Sequence, residues 1–357
     1  MSIVQIQFIF LEGMVMAKKK TLLGLDIGSS TVKAIELTDV GGIFYITGYA
    51  QKPLESKEAL VDTIKAVVEE GGFKSKRVAT AVSGRSVIVR YVNMMKMADE
   101  ELRSAIRYEA DKYIPFEVED VVLDCQRLEE AKERGMGENE MKVLLVAVKK
   151  SLIEERIAAL VSAGLKPVVI DVDCFALGNA FELKTMNSPR FAGVEKLDAL
   201  VDIGANKTNI NIMKKQVSYF TREVYIGGND FTDAISHRLS LDLQEAESLK
   251  VNPSSRDAEV EESTQQAVED LANEVHLSFD YYESQFDEEV DEVFLSGGGA
   301  KLIGLPQIFE RAFGKKVSIW DPIEDFEMGS DRVDVNALRE NAPRLAIAVG
   351  LAARVTG

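Results

Sequence analysis

Two segments far apart in the chain carry the same apolar–Asp–apolar–Gly turn followed by an alternating strand. The first is LLGLDIGSSTVKAIEL, residues 22–37, and the second is ALVDIGANKTNINIM, residues 199–213. Each apolar run predicts a buried strand that must turn sharply at its glycine. A glycine there leaves backbone N–H groups open to a phosphate oxygen. Asp26 and Asp202 end the two strands, where carboxylates are suited to holding a hydrated Mg²⁺.

A third glycine turn lies near the C-terminus, in VFLSGGGAKLIGLPQIFERAF, residues 293–313. A strand-like segment precedes Ser296–Ala300 and a helix-like segment follows it, the context in which glycine turns bind anions or nucleotides. A single Asp-Ile-Gly is a weak signal, because Asp and Gly are ordinary turn residues. The three turns together indicate two related lobes that grip one phosphorylated ligand.

In this order the three turns resemble those of the actin/hexokinase ATP-binding superfamily, and within it the FtsA-like branch and the PilM family of pilus assembly proteins. Residues 26–33 resemble the first phosphate loop, 202–209 the second, and 296–300 the adenosine loop. PRLAIAVGLAAR, residues 343–354, is similar to the small-residue helix that connects the lobes. RSAIRYEADKYIPFEVEDVVLDC, residues 103–125, is more similar to PilM than to FtsA or MreB. The resemblance begins at about Lys18.

The resemblance implies an α/β chain with the actin-like, ribonuclease H-like two-lobed ATPase fold and an FtsA-type relocated small subdomain. Within it, the sequence predicts a helix over 99–113, a mobile polar loop over 251–263 and a long helix over 265–285. The expected division is 1–17 as a disordered or mis-assigned extension; 18–85, 171–198 and 340–357 as subdomain 1A; 86–170 as the inserted subdomain 1C; 199–226 and 292–339 as subdomain 2A; and 227–291 as subdomain 2B.

The resemblance also implies that ATP and Mg²⁺ bind between the lobes, with Asp26 and Asp202 holding the ion through water. Glu247 and Lys250 share one helix face, where the superfamily contacts ribose and adenine, although a surface ion pair explains the spacing equally well. The expected nucleotide-binding residues lie in the three turns or in the helices after the second: Gly28, Ser29, Ser30, Thr31, Lys33, Gly204, Ala205, Asn206, Lys207, Thr208, Gly228, Asn229, Glu247, Lys250, Gly297, Gly298, Gly299 and Lys301.

Hydrolysis is left open by the sequence. Asp171 is the candidate catalytic residue, because the superfamily often keeps an acidic or amide side chain there to orient water at the γ-phosphate. Asp173 is more safely interpreted as a helix cap. The second turn carries Ala205–Thr208 where FtsA-like proteins have Gly-Gly-Thr-Thr, and a binding cleft alone does not position water for attack. ATP binding with slow or absent hydrolysis is therefore expected.

Composition excludes several other functions. The 357-residue chain has a net charge of −17, which disfavours nucleic acids and anionic membrane surfaces as partners. Cys125 and Cys174 have no paired spacing, and with His237 and His276 they do not form a zinc motif. The apolar stretch 3–16 is too short to span a bilayer. Any membrane association should therefore run through a protein partner.

By resemblance, the protein is a cytoplasmic scaffold, peripheral to the inner membrane, that binds the N-terminal cytoplasmic segment of PilN. Other inner-membrane pilus components are further expected partners, and self-association stays an option. The peptide would dock between the first lobe and residues 86–170. Ile106, Tyr113 and Phe116 belong to an apolar stripe that forms either the core of the insert or an exposed groove. The alternative functions are an FtsA- or MreB-like filament-forming protein and a small-molecule kinase of the sugar-kinase branch.

Overall fold

The computed structural model describes residues 20–128, 135–187, 196–214, 217–324 and 326–356. The extension expected over 1–17 lies outside these residues. The described strands are β1 (Lys20–Ile27), β2 (Thr31–Val40), β3 (Ile43–Pro53), β4 (Arg77–Val82), β5 (Val87–Met95), β6 (Val121–Leu128), β7 (Glu140–Lys149), β8 (Lys166–Val172), β9 (Leu197–Ile203), β10 (Thr208–Lys214), β11 (Val217–Val224), β12 (Glu292–Ser296), β13 (Lys316–Ile319) and β14 (Glu327–Met328).

The helices alternate with these strands in the manner of an α/β protein. Short 3₁₀ turns connect several of them. The described α-helices are α1 (Leu60–Gly71), α2 (Asp99–Glu109), α3 (Lys150–Ser162), α4 (Asp173–Asn187), α5 (Gly228–Leu239), α6 (Leu243–Val251), α7 (Asp257–Phe286), α8 (Leu305–Phe313), α9 (Val335–Glu340) and α10 (Ala346–Ala352).

The first lobe is built on a sheet of order β14-β3-β2-β1-β4-β8. Strands β1, β2 and β3 form an antiparallel meander, and β1, β4 and β8 run parallel to one another. Leu23 and Leu25 of β1 are fully buried in an apolar cluster with Ile64 of α1 and Leu160 of α3. The parallel strands carry their C-terminal ends to one edge, where ligands bind in open α/β sheets.

The second lobe repeats this arrangement in a sheet of order β11-β10-β9-β12-β13. Strands β9, β10 and β11 form the second meander, and β12 runs parallel to β9. The registers are equivalent in the two lobes. Asp26 pairs with Lys33 across the first hairpin, and Asp202 pairs with Asn209 across the second. The two segments that look alike in sequence therefore occupy matching positions in the two lobes.

The insert carries its own antiparallel sheet of order β5-β7-β6, covered by α2. Its core contains Leu102 and Ile106 from α2 and Val143 and Leu145 from β7. The elements that follow β7 rejoin the first lobe, since α3 packs on α1 and β8 belongs to the first sheet. The subdomain limits stay a prediction, and sheet membership favours ending the insert after β7.

Helix α10 packs at very close range against both β1 and α4. A β-carbon at Gly24 of β1 would lie 2.1 Å from the Ala348 carbonyl oxygen of α10. A β-carbon at Gly350 of α10 would lie 1.7 Å from the Ala176 carbonyl oxygen of α4. Ala176 and Ala348 belong to an apolar cluster that also contains Phe294 of the second sheet. The crossing therefore lies where the two lobes meet, and only glycine permits it at these two positions.

The predicted polar loop over 251–263 is wrong in its second half, because α7 already begins at Asp257. Arg256 and Glu259 form an ion pair at the start of this helix, and Val260 is fully buried. Tertiary packing of one apolar residue thus orders a segment that is polar in sequence. Among the helices in the described ranges, none is both long and apolar enough to cross a bilayer.

Candidate functional site

The first turn places a charged pair at the end of β1. The Gly28 amide donates to the Thr31 carbonyl at 3.1 Å and closes the turn, and Ser29 and Ser30 are exposed. Asp26 is only 7% exposed, and its Oδ2 lies 2.5 Å from Lys33 Nζ on the neighbouring strand. The buried carboxylate is therefore partnered by a cation within the same hairpin.

The second turn is held by the start of α5. The Gly204 amide donates to the Lys207 carbonyl at 2.9 Å. The amides of Gly228 and Asn229 donate to the carbonyls of Gly204 and Ala205, both at 2.8 Å. The Asn229 side chain also donates to Asn206 Oδ1 at 2.6 Å, and the Thr208 hydroxyl donates to the Ile226 carbonyl at 2.8 Å. The turn and the helix are thus one connected unit.

Asp202 faces the first turn from the other lobe. It is 7% exposed, and its Oδ1 accepts a hydrogen bond from Ser296 Oγ at 2.8 Å. Burial raises the pKa of Asp202 to about 6. The Ser296 hydrogen bond and then the charge of Lys33 oppose this rise, and the charge of Asp26 adds to it. The two aspartates are therefore close enough to interact across the cleft.

The two carboxylates suit a water-mediated Mg²⁺ site better than a direct cage. Hard cations such as Mg²⁺ take oxygen ligands and usually keep several waters. Within the described residues, no three His, Cys, Asp or Glu side chains converge as metal ligands. Asp26 and Asp202 supply one oxygen-bearing group from each lobe, which is the donor set that a hydrated ion shared with phosphates requires.

Lys207 binds two carboxylates in this structure. Its Nζ lies 2.6 Å from Asp173 Oδ2 and 2.5 Å from Glu223 Oε1. Burial alone would lower the pKa of Lys207, but the charges of Asp173 and Glu223 outweigh it and raise the pKa. Asn209 Nδ2 also donates to Asp173 Oδ2, at 3.0 Å. A phosphate contact by Lys207 stays a prediction and requires this side chain to leave its present partners.

Asp173, two residues after the predicted catalytic residue, is the aspartate that faces the turns. Asp171 accepts from Arg354 Nε at 2.9 Å and Nη2 at 2.6 Å, and it is 2% exposed. Asp173 begins α4, accepts from the Cys174 amide at 2.8 Å and acts electrostatically on Asp202. Asp173 is the first residue of α4 rather than the residue before it, and its Oδ1 accepts from the next amide along the chain. Its capping role and a water-orienting role for Asp171 both stay predictions.

The residues predicted to contact ribose and adenine lie on α5 and α6. Lys250 Nζ donates to the Gly228 carbonyl at 2.8 Å and to Thr232 Oγ1 at 2.7 Å. It also lies 2.5 Å from Glu247 Oε2, so Glu247 and Lys250 share one face, as their spacing predicts. The Glu247 side chain is 49% exposed, which leaves carboxylate oxygen free to accept from ligand hydroxyls.

The third turn wraps around the end of β9. Gly297 has φ +86°, and a β-carbon there would lie 2.3 Å from the Ile203 carbonyl oxygen. A β-carbon at Gly299 would lie 2.3 Å from Ile203 Cγ2. Gly298, by contrast, has φ −66° and is exposed, so its backbone conformation does not require glycine. Lys301 Nζ donates to the Glu340 carbonyl at 3.2 Å.

The predicted partner-binding residues divide into two groups. Ile106 is 2% exposed within the insert core, which supports the core alternative for that residue. Tyr113 and Phe116 are half-buried at the edge of this core. Lys149 Nζ lies 4.5 Å from the centre of the Phe116 ring, a cation–π contact. Phe116 therefore stays the best candidate for an anchor.

Three polar residues at the site were missed by sequence reasoning. Glu223 binds Lys207, Thr232 donates to Glu247, and Arg344 lies beside Thr31. None belongs to a glycine turn, and each reaches the site from a distant segment. A spacing rule for adjacent residues does not detect such contacts.

Comparison with known proteins identifies the family. The family model described as "Type IV pilus assembly protein PilM" matches residues 24–356. A solved PilM-PilN type IV pilus biogenesis complex is 29% identical with a TM-score of 0.80, and the match covers 94% of this chain and 98% of that chain. FtsA of Streptococcus pneumoniae is 21% identical over 358 residues, 86% of this chain and 77% of that protein.

MreB 5 of Spiroplasma citri, solved with AMPPNP, shares the fold at a TM-score of 0.51 and 10% identity, with 93% of this chain and 94% of that chain covered. The predicted two-lobed fold class is thereby confirmed. The chain has an actin-like fold and belongs to the family of the type IV pilus assembly protein PilM.

Proposed function

We propose that this protein is a cytoplasmic, actin-like scaffold of type IV pilus assembly. In this proposal it binds ATP with Mg²⁺ between its lobes and holds the N-terminal cytoplasmic segment of PilN. Family membership supports the pilus role, and similarity to a solved PilM-PilN complex supports the partner. PilN would then keep the protein at the inner membrane. The comparisons do not favour a filament-forming or sugar-kinase function.

The nucleotide part of the proposal depends on one observation, the approach of Asp26 and Asp202 from opposite lobes. Two glycine turns flank these carboxylates and supply the small, open backbone that phosphates need. The MreB structure with AMPPNP, an ATP analogue, supports the same use of the cleft in a related fold. Bound Mg²⁺ would neutralise phosphate charge. Asp26 and Asp202 would hold its water ligands, and Glu247 would accept from the ribose.

Slow hydrolysis follows from the state of Asp173. A general base must reach a water with a free carboxylate oxygen. One oxygen of Asp173 accepts from the Cys174 amide, and the other accepts from Lys207 and Asn209. Three of the four acceptor positions of this carboxylate are therefore occupied, and Lys207 holds it in place as an ion-pair partner. ATP would be retained as a structural ligand until this network rearranges.

The partner part of the proposal concerns the junction between the insert and the first lobe. Burial raises the pKa of Asp124 in β6 to about 6, and the charge of Asp171 in β8 adds to the rise. The carboxylates of Asp124 and Asp171 are therefore near enough for their charges to interact. Tyr113 and Phe116 lie at the edge of the insert core, where an extended peptide gains affinity from aromatic anchors.

The test is a calorimetric titration of the full chain with a synthetic PilN N-terminal peptide, with and without ATP–Mg²⁺, and with a scrambled peptide as control. Phe116→Ala should abolish capture, while ATP binding and the melting temperature stay near wild type. Tyr108→Ala is the matched control, because Tyr108 lies on α2 and is 88% exposed.

The two halves of the proposal fail separately. Absence of ATP binding by the wild type would remove the nucleotide part. Absence of peptide binding in both nucleotide conditions would remove the partner part. If Phe116→Ala unfolds the protein or binds peptide as wild type does, the groove lies elsewhere and Phe116 is a core residue.

A further inference from the structure

Arg344 lies where the first and third glycine turns meet. It belongs to the 3₁₀ turn Ala342–Leu345 that leads into α10. The preceding Pro343 carbonyl accepts from the Gly297 amide at 2.8 Å, which fixes this turn to the third glycine turn. Arg344 Nη2 lies 3.5 Å from Thr31 Oγ1, and its Nε lies 3.5 Å from the β-carbon position of Gly298.

The charge of Arg344 has no counter-charge within the described part of the chain. No ion pair forms there, and the hydrogen bonds to Thr31 and to Asn341 Oδ1 are long, at 3.5 and 3.4 Å. Nε is buried and has no hydrogen-bond partner. Burial raises the pKa of the neighbouring Tyr49 to about 12, even though Arg344 opposes the rise. Thr31, Asn341 and Tyr49 are therefore neutral at neutral pH. The charges of Glu340 and Glu70 also act on Tyr49, but among the described contacts neither carboxylate forms an ion pair with Arg344, and Glu70 pairs with Lys52.

An unpaired guanidinium in a confined site is costly to keep. Acidic residues outnumber basic ones by 59 to 42 in this chain, yet none is placed against Arg344 in the described residues. Other half-buried cations here, such as Lys33 and Arg354, each pair with a carboxylate. The arrangement leaves the counter-charge of Arg344 to a ligand.

We propose that Arg344 binds the α-phosphate of the nucleotide, an inference that rests on the proposed ATP site. The third turn is expected to take the nucleoside and the first turn the terminal phosphates. A guanidinium between these turns contacts the α-phosphate, which joins the nucleoside to the terminal phosphates. Its planar fork of donors matches phosphate oxygens and is more weakly hydrated than an ammonium.

The experiment measures binding of ATP, AMP and adenosine to wild type, Arg344→Ala and Arg339→Ala, with displacement titrations for the weak ligands. Arg339 is an exposed arginine of α9 and serves as the matched control. Arg344→Ala should weaken ATP and AMP by similar factors, roughly 10- to 100-fold for a hydrogen-bonded charge pair. Adenosine binding should stay unchanged, and Arg339→Ala should behave as wild type.

Several results would overturn the inference. If Arg344→Ala binds ATP as tightly as wild type, Arg344 makes no phosphate contact. If its affinities for adenosine and ATP fall by the same factor, Arg344 acts only on the shape of the cleft. A loss for ATP with AMP unaffected would move the contact to a terminal phosphate. If Arg344→Ala folds poorly, Arg344→Lys should bind AMP more tightly than Arg344→Gln, and equal affinities would reject the role. Wild type that fails to bind ATP would refute the nucleotide part of the proposed function, on which this inference rests.

Discussion

Replacement of Gly297 by alanine probes the backbone of the third glycine turn. At φ +86°, alanine pays about 1–2 kcal/mol for the left-handed conformation. Its β-carbon would lie 2.3 Å from the Ile203 carbonyl oxygen, so β9 or the turn must shift, at about 1–3 kcal/mol. Alanine also lowers the conformational entropy of the unfolded chain, which offsets about 0.4–1 kcal/mol of this destabilisation. We therefore expect Gly297→Ala to lower the free energy of unfolding by about 1–5 kcal/mol.

Gly298→Ala is the matched variant one residue away. Gly298 has φ −66°, and the nearest atom to its β-carbon position is Arg344 Nε at 3.5 Å, so its stability should stay within about 0.5 kcal/mol of wild type. Urea unfolding followed by circular dichroism, without nucleotide, measures both. Equal midpoints for the two variants, or a larger loss at Gly298, would refute the geometric argument. The ATP affinity of Gly298→Ala then tests whether residue 298 contacts the nucleotide.

Three further predictions concern charged groups. Asp26→Ala and Asp202→Ala should weaken ATP binding more in Mg²⁺ than in EDTA by calorimetry, and equal losses would remove the metal role. Lys207→Met should free the Asp173 carboxylate and raise the rate of phosphate release from ATP several-fold. A variant with the same rate as wild type would show that Lys207 does not restrain Asp173. The raised pKa of Asp124, about 6, means that the folded state binds this proton more tightly than the unfolded chain. Its stabilising contribution is present at low pH and is lost as pH rises through about 6. Between about pH 5 and pH 7.5 the free energy of unfolding of wild type should therefore fall by about 1 kcal/mol relative to that of Asp124→Asn. Urea midpoints that change in parallel with pH in the two proteins would contradict this.

The turns were predictable because their signals are local. An apolar run, an aspartate, a glycine and an alternating strand specify a hairpin, and the hairpin register alone brings Asp26 beside Lys33. The extent of α7 was not predictable in the same way. Its first turns are polar, and burial of Val260 depends on a surface that the local sequence does not describe.

The details of the site depend on segments that meet only in the folded chain. Lys207 and Asp173 are 34 residues apart, and Arg344 and Thr31 are 313 apart. Arg354 arrives from the last turns of the chain and pairs with Asp171, whereas Lys207 pairs with Asp173. Residue type and spacing identified the carboxylates, but the partner of each is set by tertiary packing.

The close crossing of β1, α10 and α4 has a mechanical consequence. At Gly24 and Gly350 the contacts are between backbones, so there are no side chains whose rotamers could change to let these elements slide. All three elements belong to the segments assigned to subdomain 1A, so this part of the first lobe should move as one rigid body when the cleft opens or closes. Helix α4 also contacts strands β9, β10 and β11 of the second lobe. Any rotation of the second lobe would therefore take place against a rigid surface.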